Sequence, residues 1–249
     1  MTPPPIDTIP LSGRRALITG GTTGVGRATA HLLASHGCRV FICGRDPRHL
    51  DDAIRSVREK GGAIDGVSAD ISTTDGVLTV FKAADAFLGG LDIGIVNAGV
   101  GCKGELTTMT HEECRYVLDV NLGASIACCL EAFRRMSGAG GHVVLTGSMS
   151  ADVFDTRSSV YVATKCAIRG FATCLRKEAN PLGIKVSLIE PGSIGSDMVD
   201  ETPEQQQRMR EELKMLRAED VANAILFMLC QPPWCDVIQL KLRPHLQLI

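Results

Sequence analysis

From residue 15 onward, short apolar runs alternate with longer stretches of helical periodicity, and this alternation limits the available folds more than any other feature. The strand-like runs are RALIT (15–19), RVFIC (39–43), AIDGVS (63–68), LDIGIV (91–96), GHVVLT (141–146), IKVSLIE (184–190) and CDVIQL (235–240). Helical stretches fall between them at about 24–36, 48–60, 74–88, 110–136, 158–180 and 218–230. Several strand runs are apolar almost throughout, as strands covered on both faces are. The pattern predicts an α/β fold with a parallel sheet and helices on both sides. Right-handed crossovers make that sheet doubly wound, in three layers, with about seven strands. No repeat, low-complexity tract or linker breaks the alternation, so a single domain is expected over 1–249. The polar run at about 193–216, which includes DETPEQQQRMREE, lies between a strand and a helix and is expected to form a lid.

Composition excludes several classes. A chain of 249 residues, 45% hydrophobic with 26 glycines, can bury a large core and turn many loops. A net charge of -2 without a basic run argues against nucleic acid or an acidic membrane as partner. Aromatic residues are only 4%, too few for a base-stacking surface. No apolar run approaches the length of a membrane span. The ten cysteines sit inside apolar runs such as CRVFIC and ASIACCL, and no CxxC pair occurs. The opening MTPPPIDTIP lacks the apolar core of a signal peptide. Reduced thiols in a cytoplasmic protein are therefore expected. The run HEEC (111–114) reads as a helix start, with Thr110 and Glu113 forming a capping box, and no metal is expected.

After the first strand run comes TGGTTGVG, from Thr19 to Gly26, leading into a helix. A glycine-rich turn at this junction lets the backbone approach a pyrophosphate, and the helix N-terminus offers free N–H groups. Gly20, Thr22, Thr23, Gly24, Val25 and Gly26 are the loop candidates. About twenty residues on, where a carboxylate would hold the ribose of NAD, the chain reads Cys43-Gly44-Arg45-Asp46. Gly44 leaves the carboxylate place vacant, and the Arg45 guanidinium suits a 2′-phosphate, which favours NADP(H) over NAD(H). Asp46 reads either as an acidic ribose ligand or as an N-cap ahead of Pro47. Farther on, Tyr161 and Lys165 lie four apart and share one helix face, with Ser148 thirteen residues before the tyrosine.

Together these residues resemble the short-chain dehydrogenase/reductase family, in its single-domain NAD(P)-binding branch, from about residue 12 to the C-terminus. TGGTTGVG looks like the family's T-G-x3-G-x-G. Asp70-Ile71 matches the acidic–aliphatic pair that holds the adenine ring. Asn97-Ala98-Gly99 matches the end of N-N-A-G, with Val96 in place of the first asparagine. Asn121 in DVNLG matches the active-site asparagine, and Ser148, Tyr161 and Lys165 fall at the family's spacing. Pro191-Gly192 matches the turn after the sixth strand, with Ile194 and Ser196 where nicotinamide contacts are expected.

The resemblance implies a Rossmann-type fold and hydride exchange between a nicotinamide and a carbonyl or alcohol. Tyr161 would be the general acid/base. A nearby ammonium favours the phenolate, and Lys165 would supply it while also bonding the nicotinamide ribose. Ser148, with Ser150 as its competitor, would hold the substrate oxygen. Asn121 would hold a water linking Lys165 to solvent. Substrate candidates fall at 99–103, 149–157 and 193–216. Within them Lys103 and Arg157 either attract a carboxylate or are solvated, and Met198 and Met209 either line a pocket or pack. The ending QPPWCDVIQLKLRPHLQLI resembles the L-R-P tail of a branch acting on 3-hydroxy acids and diverse ketones. A homotetramer or homodimer through the helices 110–136 and 158–180 is implied as well. The alternative is a nucleotide-binding regulator without turnover.

Overall fold

The computed structural model describes residues 9–195 and 201–247. The apolar runs become β1 (Arg15–Thr19), β2 (Arg39–Gly44), β3 (Ala63–Ser68), β4 (Ile93–Val96), β5 (Gly141–Thr146), β6 (Ile184–Pro191) and β7 (Gln239–Leu242). They form one parallel sheet in the order β3-β2-β1-β4-β5-β6-β7. The chain winds outward from β1 to β3, then crosses back to β4 on the other side of β1. The crevice beyond the carboxyl ends of β1 and β4 is the place where such sheets bind ligands.

Two-residue periodicity sorts the strand side chains into two buried layers. Ala16, Ile18, Val40 and Ile42 pack beneath α1 (Gly24–Ser35) and α2 (Pro47–Arg58), joined by Leu33, Ile54 and Ile225. Leu17, Phe41 and Cys43 point the other way, toward α3 (Thr74–Leu88), and meet Phe81, Cys128 and Ile168. Full burial of a side chain such as Phe81 contributes about 1.5–3 kcal/mol. The ten cysteines stand as free thiols, with Cys38, Cys43, Cys128 and Cys129 buried. Burial pushes the Cys43 and Cys129 thiols up to about 12, so neither is a nucleophile near neutral pH.

The stretch expected as one helix over 110–136 has an internal break. α4 (His111–Leu118) leads into a π-helical turn (Asp119–Gly123) and then α5 (Ala124–Met136). The Thr110–Glu113 capping box is present, with Glu113 N donating to Thr110 Oγ1 at 3.1 Å and Thr110 N to Glu113 Oε2 at 2.8 Å. This joined helix corrects the expectation that no segment approaches a membrane span. His111–Met136 is 26 residues long, with a window of mean hydropathy 1.4. Half of that window is buried in the fold, where Cys128 and Ala132 pack against the sheet.

The last strand also differs from expectation, starting at Gln239 rather than 235. Side chains capture two preceding carbonyls: Lys185 Nζ takes Cys235 O at 2.7 Å and Ser187 Oγ takes Val237 O at 2.6 Å, while Ile238 O accepts both Leu188 N of β6 at 3.1 Å and Arg176 Nη2 at 2.9 Å. Four further α-helices follow, α6 (Ser150–Val153), α7 (Ser159–Ala179), α8 (Pro203–Glu211) and α9 (Ala218–Leu229), with short 3-10 turns at Leu106–Thr108 and Asn180–Leu182. α8 occupies part of the polar 193–216 stretch.

Candidate active site

The glycine loop is shaped by close backbone approach. A Cβ on Gly26 would lie 2.1 Å from Gly20 O, and Gly20 itself sits at φ +64 against Ala98. Thr19 closes the other side, its Oγ1 accepting from Asn97 N at 3.0 Å and Ala98 N at 3.1 Å. Asn97 Nδ2 reaches Thr19 O and Gly20 O, each at 3.3 Å. Thr23, the N-cap of α1, makes no side-chain cap bond, and the first turn carries no acidic residue. The N–H groups of Val25 and Gly26 therefore face the loop uncapped, and this cradle fits a pyrophosphate.

At the end of β2, a Cβ on Gly44 would stand 2.5 Å from Thr22 Cγ2 and 2.6 Å from its Oγ1. Buried Thr22 thus fills the space that an acidic side chain at 44 would need. The Arg45 guanidinium lies 5.4 Å over the Tyr116 ring and bonds its phenol oxygen. Asp46 acts as the N-cap of α2, accepting from Arg48 N at 2.8 Å and pairing with Arg48 Nη2 at 3.0 Å. These bonds hold its carboxyl down at about 2. Asp70 accepts from Ser72 N at 3.0 Å, and bonds from the Ser72 backbone and hydroxyl hold its carboxyl below the usual range. Ile71 is buried beside it.

The polar residues from β5 onward converge on the same crevice. Lys165, 5% exposed, donates from Nζ to Thr146 O at 3.1 Å and lies 5.5 Å from the Tyr161 ring centroid. Thr146 Oγ1 also donates to Asn97 Oδ1 at 3.3 Å, linking the lysine's support to the glycine loop. The π-helical turn aims buried Asn121 at the loop after β4. Its Oδ1 accepts from Val100 N at 2.7 Å, and its Nδ2 donates to Val100 O at 3.0 Å and Thr164 Oγ1 at 3.3 Å. A Cβ on Gly99 would meet Asn121 Oδ1 at 3.3 Å and Lys165 Nζ at 3.8 Å, so both side chains close on this glycine.

Ser148 is pinned from both sides. Gly147 N donates to Ile189 O at 2.8 Å and Met149 N to Pro191 O at 3.0 Å. Its hydroxyl donates to Ser150 Oγ at 3.1 Å and accepts from Ser150 N at 3.1 Å, so the two competing serines form one hydroxyl pair. At the turn after β6, Gly192 N donates to Leu242 O at 2.8 Å and Ser193 N to Gln247 Oε1 at 3.0 Å. Ile194 bridges Leu216. Ser196 and Met198 lie outside the described residues. Across the crevice Gly104 N donates to Arg157 O at 2.8 Å, and Arg157 Nε pairs with Glu105 at 3.4 Å. A cleft of about 360 Å³ opens beside this clasp, lined by Val100, Cys102, Met109 and Tyr116.

The structure therefore brings Asn121 and Lys165 together at Gly99, with the Tyr161 ring 5.5 Å from Lys165 Nζ and Ser148 just past the end of β5. Sequence reasoning missed Tyr116, Thr146, Thr164 and Gln247, whose roles arise from contacts between distant segments.

A parallel sheet with a glycine turn at its switch point and a Tyr–Lys pair beside it defines a dinucleotide-binding oxidoreductase. The family description for short chain dehydrogenase matches residues 14–207. Dehydrogenase/reductase SDR family member 11 of Gallus gallus is 30% identical over 250 residues, covering 95% of this chain and 98% of that protein. A solved short chain dehydrogenase from Burkholderia cenocepacia, in complex with NADP, superposes with TM-score 0.84 at 28% identity, over 95% of this chain and 98% of that one. A metagenomic short-chain oxidoreductase, also in complex with NADP, gives 0.83 at 27% identity, over 96% and 100% of the two chains. The chain belongs to the short-chain dehydrogenase/reductase family and is an NAD(P)-dependent oxidoreductase.

Proposed function

We propose that this protein is an NADP(H)-dependent oxidoreductase that interconverts a small ketone or aldehyde and its alcohol, with Tyr161 as general acid/base. The observation that carries the reading is the Lys165 ammonium, held by Thr146 O at 3.1 Å and standing 5.5 Å from the Tyr161 ring. The dinucleotide, when bound, supplies or accepts the hydride. In reduction, the Tyr161 hydroxyl gives its proton to the substrate oxygen, and Lys165 stabilises the phenolate left behind. The Ser148 hydroxyl, turned from Ser150, holds that oxygen. Asn121, bonded to both backbone groups of Val100, holds the loop after Gly99 and would carry the water that links Lys165 to solvent. Gly20, Thr22, Thr23, Gly24, Val25 and Gly26 would cradle the pyrophosphate. Asp70 and Ile71 would hold the adenine, and Ala98, Gly99, Pro191, Gly192 and Ile194 would flank the remainder.

Preference for NADP(H) is supported by Thr22 filling the acidic position and by Arg45, whose guanidinium bonds the Tyr116 phenol. The relatives solved with NADP agree with this reading. Arg157 is already paired with Glu105, which favours an uncharged ketone over a hydroxy acid. Exposed Leu118, Ile126 and Leu130 on the outer side of α4 and α5 support a homo-oligomer through these helices. The free thiols support a reducing compartment such as the cytoplasm. The test is NADPH and NADH consumption against a panel of ketones, aldehydes and oxo-acids. The reading expects turnover of ketones with NADPH. Tight NADPH binding without turnover of any carbonyl would favour a regulator instead.

A further inference from the structure

On α7, Arg169 follows Lys165 by one turn and Tyr161 by two, so all three share one face. Its guanidinium reaches across to Glu190 on β6, the residue before Pro191-Gly192. Arg169 Nε donates to Glu190 Oε1 at 2.8 Å, and Nη2 stands 2.8 Å from the same oxygen. Glu190 is 0% exposed, and its other oxygen accepts from Gln239 on β7. Arg169 Nη1 donates to Asp152 Oδ1 at 2.9 Å and to Ala151 O at 3.3 Å, both on α6. Lys241 on β7 completes the set, donating to Asp152 Oδ2 at 2.8 Å.

Two features set this network apart from a simple stabilising pair. Burying a carboxylate such as Glu190 is expensive even beside a part-exposed guanidinium, and well-packed apolar residues often serve stability as well. The location is also specific. A Cβ on Gly147 would lie 2.8 Å from Glu190 Cγ, so the glutamate side chain lies directly under the peptide that leads into Ser148. One residue pair thus touches the serine segment, α6 behind it, the helix carrying Tyr161 and Lys165, and the turn entering Pro191-Gly192.

We infer that the Arg169–Glu190 pair, extended through Asp152, is a positioning unit that fixes the spacing between Ser148 and Tyr161. The inference rests on the proposed roles of those two residues. Arg169 and Glu190 act through them and touch neither substrate nor dinucleotide.

The test replaces both charges at once, with Arg169→Met and Glu190→Leu in one protein, so that no lone charge is left buried. Activity is read with NADPH on whichever ketone of the panel the wild type reduces. The positioning role predicts a kcat loss of about 10²-fold, with NADPH Kd and Tm close to wild type. A folded double variant with wild-type kcat would overturn it. If that variant does not fold, Asp152→Ala, at the half-exposed edge, leaves Glu190 paired and removes the two carboxylate bonds that tie Arg169 and Lys241 to α6. Its predicted outcome is a kcat loss of about tenfold with unchanged NADPH Kd, and wild-type kcat there would also overturn the role. Amide exchange over 147–153 is measured on the same proteins without substrate. Faster exchange than wild type supports the unit, and equal protection contradicts it. Wild-type inactivity on every carbonyl would count against the proposed function instead, and the exchange result would then judge the positioning unit alone.

Discussion

The two halves of the crevice are built by different physics. The half around β1, β2 and the glycine loop is fixed by backbone against backbone, where no side chain fits: Gly26 against Gly20 O, Gly20 against Ala98. The half around β5, β6 and α7 is fixed by polar side chains that bridge elements. Examples are Lys165 to Thr146 O, Asn121 to Val100, and Arg169 to Glu190. Steric constraint makes the first half intolerant of any added atom. The second half depends on particular hydrogen bonds, and its failures should appear in turnover before they appear in cofactor binding.

The contrast is most severely tested at Gly26. Gly26→Ala puts a methyl into the space of Gly20 O, and overpacking of this kind costs about 1–3 kcal/mol. The expected result is loss of NADPH binding by fluorescence titration at concentrations that saturate the wild type. Intact binding would show that the loop yields more easily than the contacts imply.

A second probe lies at the amino ends of β5 and β6. His142 Nε2 bonds Ser187 Oγ at 2.8 Å, and Ser187 passes its own proton to Val237 O at 2.6 Å. Burial, with Lys185 nearby, lowers the His142 value from 6.5 to about 4. Between these values the unfolded chain binds a proton that the folded chain refuses. Stability is therefore full above pH 6.5, falls as pH drops toward 4, and levels below that. The loss is on the order of 3 kcal/mol. Denaturant midpoints between pH 7 and 4 measure it, and His142→Gln should flatten that limb.

A smaller effect separates the cofactors. Arg45→Ala removes one charge-assisted contact, worth about 1.5–3 kcal/mol, so NADPH Kd should rise roughly 10- to 100-fold while NADH Kd stays put. Equal changes in both would remove the 2′-phosphate reading. Smallest of the set is Thr110→Ala, which breaks the capping box of α4 and should cost about 1 kcal/mol in thermal unfolding without altering kcat.

The same division governs what the sequence discloses. The glycine loop was legible because only glycine fits a backbone passing that close, and Tyr161–Lys165 because helical spacing is written in the chain. Five of the seven strands were legible because burial on both faces leaves apolar runs, and β3, half-buried at the sheet edge, was legible from its place in the alternation. The start of β7 was not, since the carbonyls of 235 and 237 are taken by the side chains of Lys185 and Ser187, fifty residues away in sequence. Tyr116 beneath Arg45, Gln247 behind Gly192 and Glu190 under Gly147 were invisible for the same reason. The π-helical turn at Asn121 left no mark either, because its residues keep a helical pattern on both sides.

Tyr161→Phe measures the central claim most directly, since it removes one oxygen and leaves the ring beside Lys165. With NADPH and a ketone that the wild type reduces, turnover should fall by about 10²–10⁴-fold while NADPH Kd stays within error. A variant that still reduces the ketone at the wild-type rate would contradict the assignment of Tyr161 as the proton donor.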